Sequence, residues 1–411
     1  MRVVELFAGI GGLGLGVSGA GFKSEAVIEW DRDCVETLRA NAARGHELIK
    51  HWPVFHGDVR NFNFNTVKSE IDLVCGGPPC QPFSIGGKHK GPDDPRDMWS
   101  QAIRAVGELR PSAFIFENVR GLTRAAFADY LRYITARLRH PTVAICAREG
   151  WQDHLERLEK IKKSSDDLTY KVNVQKVNAA DYGAAQKRHR VVIVGIRQDL
   201  GVEWQFPAPT HSREALAWSK FVTGDYWRRH GIKTKDRPKQ SAADARMARA
   251  LADRLVAPEL LPWVTVRDTI SNLPPPQDGG HLLIPNHRFQ AGAKVYAGHT
   301  GSPLDEPAKA LKAGDHGVPG GENMLARPDG SVRYFTVRES ARLQGFPDSY
   351  VFPSSWTESM RQLGNAVPVK LAQVVAQSIL SLLEAANRGV RLQPARQEES
   401  CGQHSQGVTR H

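Results

Sequence analysis

Six short apolar runs, each bounded by glycine or charge, punctuate the first half of the chain. They are RVVELFAG (Arg2–Gly9), SEAVIEW (Ser24–Trp30), IDLVCGG (Ile71–Gly77), SAFIFENV (Ser112–Val119), YKVNVQKVNA (Tyr170–Ala179) and RVVIVGIR (Arg190–Arg197). Each reads as a strand, and a further short strand precedes His56–Val59. Between them the apolar spacing turns helical, over Asp33–Ala43, Met98–Leu109 and Phe127–Leu138. Strand and helix in alternation predict an α/β unit: a mostly parallel sheet with helices on both faces. The polar stretch Arg148–Asp167 reads as a surface insertion with a helical middle.

The rhythm stops after Arg197. Residues 201–341 are rich in proline and glycine and show no clean period, so they read as a second, irregular domain. Val337–Tyr350 predicts a short helix ending at Gly345. Leu363–Gly389 predicts a loop followed by a long apolar-striped helix. The expected division is 1–200, 201–341, a returning segment 342–387, and a disordered polar tail 388–411.

In such a sheet, ligands bind beyond the carboxyl ends of the strands. The chemically suggestive residues gather there: the glycines after the first strand, Glu29 and Trp30, Cys80, and Glu117. Phe7–Gly16, FAGIGGLGLG, carries GxGxxG at Gly9, Gly11 and Gly14, with Glu29 eighteen residues after Gly11. This is the dinucleotide pattern in its usual context. S-adenosylmethionine fits the same geometry: Glu29 could take the ribose hydroxyls, Trp30 the adenine face and Asp58 the adenine amino group. From the loop alone both ligands stay open.

Cys80 sits in GGPPCQPFS, framed by Pro78, Pro79 and Pro82. Prolines stiffen the chain, so a thiolate held there would be a pre-positioned nucleophile. Glu117 ends an apolar strand, where partial desolvation suits it to hold or donate a proton. In QKRHR, strand period puts Gln186, Arg188 and Arg190 on one face, two guanidiniums able to bind an anion or a carbonyl oxygen.

Composition narrows the setting. The 411 residues include five cysteines without a CxxC, against a disulfide framework or cysteine-rich zinc site. The histidines show no metal spacing, no apolar run approaches a membrane span, and the N-terminus lacks a signal-peptide core. A net charge of +11 favours a polyanionic partner. Residues 220–249 hold nine Lys or Arg against three Asp, with Tyr226 and Trp227 interleaved, and predict a basic face.

Taken together and in order, FAGIGG, PPCQPFS, ENV, QKRHR, RESARLQGFPD and GNAVPV resemble the cytosine-5 DNA methyltransferases over nearly the whole chain. The resemblance implies a Rossmann-like methyltransferase fold, with residues between QKRHR and RESARLQ forming a target-recognition domain. It implies S-adenosylmethionine as cofactor and S-adenosylhomocysteine as product. Cofactor contacts are expected from Phe7, Gly9, Ile10, Gly11, Gly12, Glu29, Trp30, Asp58, Val59, Pro78, Asn365 and Val367. Cys80 is expected to attack a flipped-out cytosine, Glu117 to bond its N3 edge, Arg188 to steady the base carbonyl and Arg190 to hold Glu117 or the loop. No metal is required. DNA contacts are expected from Gln81, Ser84, Lys88, Lys90, Arg228 and Arg229, and the segment 81–99 is expected to close over DNA. The expected partner is duplex DNA, with a restriction endonuclease acting separately, on a cytoplasmic, nucleoid-associated monomer. Two other readings remain: methylation of RNA, and a nicotinamide-dependent oxidoreductase that would leave PPCQ, ENV and QKRHR without roles.

Overall fold

The computed structural model describes residues 1–79, 97–161, 168–254, 256–295, 300–313 and 321–389. The chain begins with β1 (Arg2–Leu6), α1 (Gly12–Ala20), β2 (Lys23–Glu29), α2 (Arg32–Ala43), β3 (Val54–His56) and β4 (Leu73–Gly76). It continues through α3 (Trp99–Leu109), β5 (Ala113–Val119), α4 (Ala128–Arg139), α5 (Trp151–Glu159), β6 (Tyr170–Asn178), β7 (Gln186–Lys187) and β8 (His189–Arg197). The predicted strands and helices therefore fall where the apolar runs placed them, give or take their ends.

Seven strands form one sheet in the order β3-β2-β1-β4-β5-β8-β6. The pairs from β3 to β5 are parallel, and β8 pairs antiparallel with both β5 and β6. Period-2 alternation divides the core between two faces. Val4, Leu6, Val74, Phe114 and Phe116 pack with α3 and α4, through Trp99, Ile103, Tyr130 and Ile134. Val3, Leu73, Ile115, Val192 and Val194 pack on the other face with α1 and the C-terminal helix.

The stretch read as a surface insertion is partly core. His154 of α5 is fully buried and bonds the Tyr133 hydroxyl at 2.9 Å, and Leu155 and Leu158 join the cluster around α4. Its apolar i, i+3 pair outweighs its charge density.

A helical module follows: β9 (His211–Ser212), α6 (Arg213–Ala217), a π-turn at Trp218–Val222, α7 (Asp225–Arg229), α8 (Ala242–Ala252), β10 (Leu261–Pro262) and α9 (Val266–Ile270). A small-strand arm comes next: β11 (Ser302–Pro303), β12 (Ala308–Lys309), β13 (Met324–Ala326) and β14 (Val332–Tyr334). β12 pairs with β7, which ties the arm to the QKRHR segment.

The chain returns through α10 (Val337–Leu343), α11 (Trp356–Asn365) and α12 (Val369–Asn387). Helix α11 runs through Asn365, where a loop was expected. Part of the stretch Trp356–Asn387 is apolar enough to cross a membrane by composition, contrary to expectation, but most of that part is buried inside the molecule, and residues 366–368 divide the stretch into two helices. Helix α12 lies on α1: a Cβ added at Gly16 would come within 2.5 Å of the Ala372 Cβ.

Candidate active site at the carboxyl edge of the sheet

The glycine turn between β1 and α1 is built from left-handed backbone. Gly9 and Gly11 have φ of 55° and 75°, and Phe7 itself takes 54°, a conformation aromatic residues rarely adopt. Nothing lies within 4 Å of a Cβ placed on Gly9, so that side of the turn is an open cradle. Gly12 serves close approach instead: its Cβ would stand 2.5 Å from the Val367 carbonyl oxygen. The GNAV turn thus closes onto the start of α1, with Val367 buried and Asn365 exposed. The Tyr350 hydroxyl donates to the Ile10 carbonyl at 2.8 Å and pins the turn from the C-terminal side.

Glu29 ends β2 with its carboxylate turned into this loop. Oε2 accepts from the Gly9 N–H at 2.6 Å, and Oε1 from those of Trp30 and Asp31 at 3.0 and 2.8 Å. Burial pushes its pKa up, and the three N–H donors oppose that shift. Two carboxylate oxygens offer about four acceptor sites, and the three N–H donors leave about one of them free for a ligand hydroxyl. Trp30, the next residue along the chain, is 72% exposed. Asp58 caps a 3-10 turn starting at Val59, accepting from Arg60 N at 2.9 Å and Arg60 Nε at 2.9 Å. That pairing holds the Asp58 carboxyl below its usual range. A buried carboxylate with an acceptor site to spare, an exposed aromatic residue and an open glycine cradle on one edge fit an adenosine ligand.

Three strands along, Glu117 lies near the end of β5, nearly buried, and forms an ion pair with Arg190 of β8. Its Oε2 would be 3.6 Å from a Cβ on Gly77. The next residue, Asn118, donates from Nδ2 to the Pro78 carbonyl at 3.0 Å. The proline strut leaving β4 is therefore fastened to the strand that carries Glu117. Asn118 was passed over in the sequence, although its place in ENV was the available signal. Cys80, Gln81, Ser84, Lys88 and Lys90, with most of the expected closing segment, lie outside the described residues.

Arg188 does not face a base carbonyl as expected. It is 1% exposed, with Nη1 donating to the Leu311 carbonyl at 2.8 Å and Nη2 to that of Gly364 at 2.5 Å. Gln186 sits with it, accepting from Leu311 N at 3.0 Å. Of the two arginines only Arg190 pairs with the Glu117 carboxyl, while Arg188 stays with Gln186, its Nη1 3.4 Å from the Gln186 Oε1.

The stretch expected to form a basic DNA face divides between core and surface. Tyr226 and Trp227 are buried with Leu216 as the module's own core. Lys220 is buried on the Asp305 carbonyl and Glu306. Arg228 pairs with Asp225, and Arg229 with Asp268 at 2.5 Å. Lys233, Lys235 and Lys239 are exposed and enter no ion pair among the described residues.

Comparison with known proteins gives a consistent result. The sequence profile described as C-5 cytosine-specific DNA methylase matches residues 1–140 and 151–381. The chain is 30% identical to the type II methyltransferase M.PspPI of Psychrobacter sp. (strain TA137), over 94% of this chain and 81% of that one. It is 31% identical to M.Eco47II of Escherichia coli, over 94% and 80% respectively. Among solved structures, it resembles the S. pombe Dnmt2 methyltransferase with a TM-score of 0.52 and 18% identity, covering 94% of this chain and 99% of that one. At that identity the likeness concerns the fold.

Proposed function

The chain belongs to the C-5 cytosine-specific DNA methylase family, and we propose that it methylates cytosine C5 within a specific duplex DNA sequence as the modification half of a type II restriction–modification system. One observation carries the residue-level reading. The Glu29–glycine-turn cradle and the Glu117–Arg190 pair open on the same sheet edge, and the Pro78 strut that leads to Cys80 is bonded between them.

In this reading S-adenosylmethionine supplies an electrophilic methyl group on its sulfonium. Glu29 takes the ribose hydroxyls, Trp30 covers the adenine, and Asn365 with Val367 closes the far side. Asp58 must share its carboxylate between Arg60 and the adenine amino group. The glycine pattern that also suited a nicotinamide cofactor is thereby given to the sulfonium ligand, because a hydride-transfer reading leaves Cys80, Glu117 and Arg190 idle.

The target base must leave the stack, at a cost of a few kcal/mol. The Cys80 thiolate adds to C6 and pushes electron density onto C5 and the N3–O2 edge. Glu117 meets that edge at N3 and the exocyclic amine, and Arg190 keeps its carboxyl in place. After C5 is alkylated it loses its proton, and elimination restores the ring and releases the thiolate. Arg188 acts at one remove, as a positioning residue. Duplex DNA is the partner in this reading, residues 201–341 form the target-recognition region, and a cognate endonuclease acts separately.

Mechanism-based trapping tests this. Duplex DNA with 5-fluorocytosine at the methylated position, plus S-adenosylmethionine, should give a covalent complex stable to denaturation, and Cys80→Ser should give none. Bisulfite sequencing of DNA from cells expressing the protein identifies the site beforehand. An adduct that survives Cys80→Ser would remove the thiolate from the mechanism.

A further inference from the structure

Gly364 is the penultimate residue of α11, just before the turn that closes the cofactor cradle. Its backbone is still helical, where alanine is a better residue than glycine. Conformation therefore does not call for glycine here. Contact does: a Cβ at this position would overlap the Lys312–Ala313 backbone, coming within 2.6 Å of Ala313 Cα. Arg188 spans the same junction, one guanidinium nitrogen on Gly364 O and the other on Leu311 O.

The Lys312 end of this contact is the root of the small-strand arm. Asn323, in the turn just before β13, clasps it, accepting from Lys312 N at 3.1 Å and donating to Lys312 O at 3.0 Å. Gln186 fastens Leu311 N, and β7 pairs with β12 just before it. On the catalytic side, Gln344 donates to the Leu363 carbonyl at 2.5 Å. Two residues beyond Arg188, Arg190 holds Glu117. One short strand segment thus ties the reacting carboxyl, the cofactor turn and the arm's root into a single backbone-to-backbone joint.

We propose that the Gly364–Arg188 joint is a specificity determinant: it sets the register of the small strands β11–β14 against Glu117, so that base readout and reaction occur at the correct offset. This rests on the reading that the arm belongs to the target-recognition region. The joint touches neither DNA nor cofactor and acts through position alone. Misplacement on the order of 1 Å costs about a hundredfold when geometry must match. That penalty falls on the cognate site, where the match is used, more than on a site already mismatched. Widening the joint should therefore compress discrimination rather than lower all rates alike.

The test compares kcat/KM on the duplex identified by bisulfite sequencing with that on duplexes carrying one altered base pair. Gly364→Ala should lower the cognate-to-altered ratio by tenfold or more. Arg188→Lys, which keeps the charge but loses the two-carbonyl fork, should lower it in the same direction and serves if the alanine variant does not fold. Equal losses on both duplexes, leaving the ratio unchanged, would overturn the proposal. Failure of the wild-type protein to methylate any duplex would instead bring down the functional reading, and this inference with it.

Discussion

Glu5 is a fully buried carboxyl in the sheet. It stands in β1 beside Cys75 of the neighbouring strand, on the face that α1 covers. Oε1 accepts from Gly14 N at 2.9 Å, while Oε2 has no hydrogen-bond partner among the described residues. Burial is the main cause that raises its pKa from 4.5 to about 8; the Gly14 N–H opposes the rise and the Glu29 charge adds to it. The sign follows from proton counting. Between pH 4.5 and about 8 the folded chain keeps a proton that the unfolded chain has released, so stability is full below the lower value and falls as pH climbs to the upper. Glu5→Gln keeps an acceptor for Gly14 and has no proton to lose. Urea unfolding at pH 5, 6.5 and 8 should show wild type losing up to about 4 kcal/mol relative to Glu5→Gln across that range. Parallel pH profiles for the two proteins would show that Glu5 is ionised in the native state.

Elements were legible wherever chemistry and secondary structure coincide locally. FAGIGG, EW and ENV all mark strand ends, so a residue's type and its place could be read from the same few letters. Arg188 shows where that stops. Its partners lie 123 and 176 positions away, and nothing in QKRHR announces them. The module at 211–270 shows a second limit. Tyr226 and Trp227 among lysines and arginines look like a nucleic-acid surface, yet aromatic rings this large are needed to give so small a unit any core. Most of the arginines there are neutralised by nearby acids, which leaves Lys233, Lys235 and Lys239 as the exposed cations of the 231–241 strip. Each phosphate contact contributes a slope of about 0.9 to the dependence of log K on log salt. Replacing the three lysines with glutamine should reduce the measured slope by about 2–3, whereas Arg228→Ala with Arg229→Ala should change it by less than about 1. Fluorescence anisotropy with duplex DNA across a salt series reads this, and the reverse ranking would return the DNA contact to the arginines.

At the scale of the molecule, the last part of the chain completes the first. Arg361 of α11 bonds Asp31 at 2.8 Å, Gln362 bonds Thr37 at 2.9 Å, and Asn41 of α2 holds the Val351 backbone through both its N–H and carbonyl. Helix α12 packs beside α1 on the same face of the sheet, burying Leu371, Val375, Ile379 and Leu383. Each such side chain contributes about 1.5–3 kcal/mol when fully buried. Together they approach the whole net stability of an ordinary domain, about 5–15 kcal/mol. The N-terminal sheet therefore lacks a margin to stand without residues more than three hundred positions downstream, and the glycine turn lacks the Tyr350 hydroxyl that pins it. A chain ended after Tyr334 should show no cooperative melting transition and no heat of binding for S-adenosylhomocysteine by calorimetry. Supplying residues 335–389 as a separate polypeptide should restore both. A truncated chain that melts cooperatively and binds the ligand unaided would mean that the sheet closes its own core, and that α12 packs onto a unit already folded.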